Sequence, residues 1–165
     1  MNIFVLDQDP IVAAQMQCDK HVVKMPLECA QMLSAAHRAL DYDTLPTDSP
    51  IYHLTHQNHP CTRWAMQAAD NYRWLYEHFR GLADEYTYRY YLEHKSWWKL
   101  SNILAKPPKN IREASLTPFA QAMPDEYKHD DAVVAYRRFY VADKRDFLKY
   151  RKRPVPQWLE ESLVH

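Results

Sequence analysis

The chain of 165 residues contains a single glycine, Gly81. The Gly-rich phosphate loops of dinucleotide-binding and nucleoside-triphosphate-binding folds need several glycines, for tight turns and for close backbone approach to the ligand. One glycine supplies neither loop, which excludes two common enzyme classes. Any phosphate bound here must be held by side chains or by helix N-termini.

The length suits one domain spanning 1–165, large enough to bury a core without disulfide or metal staples. With 47% hydrophobic residues, the composition is that of a globular protein. No apolar stretch approaches the roughly 18–20 residues a spanning helix requires, so no membrane is expected. The opening residues lack the basic region and cleavage site of an export signal. Cys18, Cys29 and Cys61, three and widely spaced, fit reduced thiols and a cytoplasmic location better than a disulfide framework. The formal net charge of zero argues against a general nucleic-acid coat protein. The charge is uneven, however: between Lys128 and Arg153 there are nine Lys/Arg against four Asp/Glu. Such a local basic surface can recruit phosphate, although it also serves simply to solvate an amphipathic helix.

Periodicity and punctuation predict an all-α, single-domain helical bundle with a short extended N-terminal segment, Asn2–Leu6. Asp9-Pro10 opens a first helix to about Gln17, as an N-cap acceptor followed by proline at the first helical position. Asp19 opens a second, ending near Leu40, with a kink or break expected at Pro26. Pro60 starts a long helical region through Leu100, jointed at Gly81. Residues 110–127 read as loop and turns. Asp130 or Asp131 caps a last long helix to about Tyr150, and Pro154 and Pro156 mark an extended tail.

The second helix is the most informative. His21, Lys24, Glu28 and Gln31 fall in one narrow stripe, while most other positions from Val22 to Ala36 are apolar or small. A helix apolar over most of its circumference is buried, and an ionisable stripe on it must face a polar cavity or paired groups. The alternative is the solvent edge of a helix packed on two sides. On the third helical region Asn71, His78 and Glu85 recur at intervals of seven, with Arg89 one turn beyond, among Trp64, Tyr72 and Trp74. Polar groups interleaved with rings suit a planar ligand, although the rings at helical spacing also suit a core. In the last helix Arg137, Tyr140 and Lys144 share a face and offer phosphate contacts.

The loop from His53 to Cys61 holds three histidines and a cysteine. Its spacing matches no zinc template, so no metal is expected there. His59-Pro60, at a helix start, can instead place an imidazole beside an anion.

Six runs carry a resemblance: MNIFVLDQDP (1–10), CDKHVVKM (18–25) with ECAQML (28–33), HQNHPCTRW (56–64), NYRWLY (71–76), EYTYRY (85–90) and VAYRRFYVADK (134–144). Together they resemble a family of small uncharacterised proteins of tailed bacteriophages. The resemblance implies an origin in a phage or a relative, action in the bacterial cytoplasm, and a neighbourhood of nucleotide and DNA metabolism.

The reading that follows is an enzyme acting on a nucleobase, nucleotide or DNA by glycosidic-bond or base-modification chemistry. Glu28 or Glu85 would be the general acid/base with His21 as partner. Arg89, Arg137 and Lys144 would hold phosphate, with Lys24, Gln31, His59, Asn71 and Tyr140 as further ligand contacts, and Trp64, Tyr72 or Trp74 would stack the base. The alternatives are a non-catalytic nucleotide- or nucleic-acid-binding module, such as a counter-defence protein, and a His/Cys metal hydrolase. The residues name no cofactor.

Overall fold

The computed structural model describes residues 1–143 and 148–164, with backbone alone at 163 and 164. Seven α-helices occur among them: α1 (Pro10–Gln15), α2 (Asp19–Leu40), α3 (Pro60–Ala65), α4 (Ala69–Tyr90), α5 (Lys95–Leu104), α6 (Ala132–Asp143) and α7 (Gln157–Val164). The described residues include no strand, in keeping with the all-α expectation.

The helix starts are written in local chemistry. The Asp9 carboxylate accepts the backbone N–H groups of Ile11 and Val12, and Pro10 occupies the first turn, where no N–H is missed. His59 and His94 cap α3 and α5 by accepting from Cys61 and Ser96 through Nδ1. Asp131 accepts from Val133 at the start of α6.

Helices α2 and α4, each of 22 residues, form the central pair. Helix α1 lies across α4, α3 and α5 pack against both long helices, and α6 pairs with α7. The segment Ile3–Leu6 runs through the interior as buried extended chain rather than along the surface. Arg137 fastens it by donating from Nε to the Leu6 carbonyl at 2.9 Å.

Four boundaries differ from the sequence reading. Helix α2 runs unbroken through buried Pro26. The long region after Pro60 is three helices, and its joints fall at Met66–Ala68 and Tyr91–His94 instead of Gly81. Gly81 is mid-helix because α1 crosses α4 there: a Cβ at this position would stand 3.1 Å from the Ala14 Cβ and 3.3 Å from the Ile11 Cα. Its missing side chain thus admits a neighbouring backbone instead of a turn. Helix α4 ends at Tyr91, whose left-handed φ of 61° stops the helix without glycine. The last long helix is described to Asp143 and residues 148–150 are not helical, and the expected extended tail becomes α7, opened after Pro156.

Candidate active site

A groove of about 260 Å³ opens between the N-terminal segment, α2 and α6, lined by Met1, Asn2, Phe4, Lys20, His21, Lys24, Met25, Glu28 and Phe139. Its polar centre is Glu28, only 6% exposed. Glu28 Oε1 faces the Met1 α-amino nitrogen at 3.2 Å and accepts the Asn2 backbone N–H at 3.1 Å. Its other oxygen stands 3.6 Å from Nζ of Lys24, one helical turn along. A buried carboxylate thus lies between two amines, which offsets its desolvation.

The amine is held there by Asn2. Its side-chain oxygen accepts from the N–H groups of Ile3 and Phe4, while its amide donates to the Ala122 carbonyl at 2.9 Å. The turn so formed places Phe4 at φ 39°, a left-handed conformation that costs a non-glycine residue about 1 kcal/mol or more. The Phe4 ring then stacks on His21 at 4.3 Å and 16° between planes. His21 Nδ1 is 2.7 Å from the Tyr140 hydroxyl, which also accepts from the Cys18 backbone N–H. Burial holds the Tyr140 hydroxyl protonated well beyond its ordinary range, so it orients His21 as a neutral phenol.

The thiols beneath the groove are not nucleophiles. Burial pushes the Cys61 thiol up to about 12 despite its contact with the Tyr136 hydroxyl. Burial, with Glu28 and Cys61 adding to it, raises Cys29 as well. His59 is lowered chiefly by burial and also by the Met1 ammonium, with Glu28 acting in the opposite sense. It therefore stands within electrostatic reach of the groove while its Nδ1 caps α3.

His21, Lys24 and Glu28 of the α2 stripe line the groove together; Gln31, one turn on, does not. Val23 and Leu27, expected inside, are exposed at 44% and 38% among the described residues. Glu85 and Arg89 do not join the groove. Glu85 accepts from Arg89 at 3.0 Å and from Arg153 at 2.8 and 3.0 Å, and Arg89 reaches Asp19 and the Gln15 carbonyl. Asp19 and Arg153, remote in sequence, satisfy the pair before the groove can.

The seven-residue stripe on α4 fastens loops. Asn71 donates to the Trp64 carbonyl and to Thr117, His78 bonds Pro10 and Gln17, and Glu85 bonds Arg153. Trp64 packs among Trp74 and Phe119, and the Tyr72 hydroxyl donates to the Leu104 carbonyl, so Trp64, Tyr72 and Trp74 are core rather than ligand platforms. Arg137 lies over Trp158 and holds Leu6 instead of opening to the groove. Lys144 lies outside the described residues. Of the His53–Cys61 loop, Cys61 is buried and His53 and His56 are exposed. Among the described residues no group of three or more His, Cys, Asp or Glu is placed to hold a metal ion.

Sequence reasoning missed the α-amine, Asn2, Phe4 and Phe139. The available signal was the apolar run directly after Met1: burying it carries the terminal nitrogen inward.

A helical frame thus presents an amine–carboxylate pair in a groove, a constellation able to support proton transfer. Residues 1–99 match the family model of the pyrimidine dimer DNA glycosylases, and the chain belongs to that family. It is therefore a DNA-acting enzyme of N-glycosidic-bond chemistry. No curated protein and no solved structure matches the chain. No helix among the described residues is long and apolar enough to cross a membrane.

Proposed function

We propose that this chain excises pyrimidine dimers from duplex DNA, with the Met1 α-amine as nucleophile and Glu28 as proton acceptor and donor. The observation that carries the reading is the 3.2 Å contact between the Met1 nitrogen and Glu28 Oε1 inside the groove. An α-amine loses its proton nearer neutrality than a lysine side chain does, so among groove amines it is the better nucleophile class. Glu28 takes the amine's proton as the nitrogen bonds to C1′ of the damaged nucleotide. The C1′–N1 bond breaks, its electron pair leaves with the pyrimidine, and a proton returned by the carboxylate neutralises the leaving group. Opening of the sugar ring then leaves an imine between the protein and C1′.

The groove's size fits this division of labour. At about 260 Å³ it lies below the roughly 300 Å³ at which pockets for drug-sized ligands begin, which supports its receiving the sugar. Extrusion of the target from the stack is the step glycosylases need to expose that carbon. Lys20 and Lys24 on the groove wall supply positive charge for the flanking phosphates.

The test is borohydride reduction of a reaction with duplex DNA bearing one pyrimidine dimer. The expected result is a covalent protein–DNA species whose peptide map places the adduct on the nitrogen of Met1, and its loss when that amine is acetylated. An adduct on Lys20 or Lys24, or none at all, overturns the assignment.

A further inference from the structure

We propose that residues 149–153 form a rigid cationic ridge that tracks the phosphate backbone of duplex DNA beside the groove. The proposal rests on the glycosylase reading for its substrate, but it concerns a part of the chain beyond the family match, which ends at residue 99.

Inward-facing groups rivet this short strap to the body. The Asp19 backbone N–H donates to the Lys149 carbonyl at 2.8 Å, Tyr150 donates to the Met16 carbonyl at 2.7 Å, and Asp19 accepts the Arg151 N–H at 2.8 Å. Arg153 holds both oxygens of Glu85. Between these anchors Lys149, Arg151 and Lys152 are exposed. Lys152 adopts φ 64°, a bend fixed by its neighbours' anchors.

The chemistry around the three cations is what points to phosphate. Among the described residues no carboxylate pairs with any of their side chains. Aromatic rings support two of them instead. Arg151 lies 5.3 Å over Tyr90, and Lys152 lies 3.4 Å over Tyr91 and 5.6 Å from Tyr88. A ring orients a cation without cancelling its charge, whereas a carboxylate would neutralise it. The strap therefore presents three undiminished charges at little further ordering cost. It also adjoins the groove: Asp19, its anchor, precedes Lys20, which lines that groove together with Lys24. The strap and the groove thus meet the same helix, α2, at neighbouring residues, an arrangement suited to backbone contacts that position a duplex without reading its sequence.

The test compares wild type with Lys149→Gln/Arg151→Gln/Lys152→Gln, which keeps every inward anchor. Binding of an undamaged duplex is followed across a salt series, together with single-turnover excision from a dimer-bearing duplex at saturating protein. The triple variant should bind on the order of tenfold or more weakly at low salt, with a log–log salt slope shallower by about 3, one per lost phosphate contact. Its excision rate at saturation should match wild type. An unchanged affinity and slope overturns the ridge. Acetylation footprinting of wild type needs no substitution: DNA should protect Lys149 and Lys152, and their equal labelling with and without DNA also overturns it. A wild type that shows the steep slope and the protection but yields no trapped adduct leaves the ridge standing and overturns the amine assignment alone.

Discussion

Arg89 and Glu85, one turn apart on α4, are both buried and joined at 3.0 Å, with Asp19 and Arg153 completing the network from opposite ends of the chain. Removing one member leaves the others desolvated and uncompensated. Arg89→Ala should therefore destabilise the protein by about 3–5 kcal/mol, read from urea unfolding. Excision per folded molecule should be unchanged, since neither residue lines the groove.

The two glutamates should separate in function. Glu28→Gln keeps the shape and the Asn2 contact but cannot take a proton, so excision should fall on the order of 10²–10⁴-fold while duplex affinity is retained. Glu85→Gln should lower the thermal midpoint and spare the single-turnover rate. A reversal of the two phenotypes would move the chemistry to α4.

Acid should weaken the fold through His78. Wholly buried, it is lowered to about 4 chiefly by desolvation, against the opposing hydrogen bond to the Pro10 carbonyl. The unfolded ring titrates near 6.5, so the unfolded chain binds the proton first. The neutral ring's contribution is complete above about pH 6.5, declines as pH falls, and is gone below about 4. The gap corresponds to about 3 kcal/mol at roughly 1.4 kcal/mol per unit. Unfolding free energies of wild type and His78→Gln measured from pH 7 to 4 should converge as pH falls.

At the α1–α4 crossing, Gly81→Val should destabilise by about 1–3 kcal/mol. The added atoms meet the Ala14 Cβ and the Ile11 Cα as well as the tip of the Ile11 side chain, and only that tip can move aside cheaply. A neutral result in denaturant unfolding would mean that α1 can slide off α4.

Some of this molecule is determined by the sequence alone. The bounds of α2 from Asp19 to Leu40, the Asp9-Pro10 start of α1, and the grouping of His21, Lys24 and Glu28 on one side of α2 follow from local rules. Caps, proline positions and helical periodicity act within a few residues and need no knowledge of what packs outside. The partners of those residues are another matter. Val23 and Leu27 look like core until their exposure on α2 is known, and Gly81 looks like a joint until α1 is laid across it. Glu85 looks equivalent to Glu28 as a candidate base. Only the tertiary structure adds Arg153 to one, across 68 positions, and brings the other to the Met1 amine and the Asn2 backbone, the latter 26 positions away, by packing rather than by any local preference. A buried charge takes whichever partner the packing brings within reach, and that choice is made by the whole chain at once.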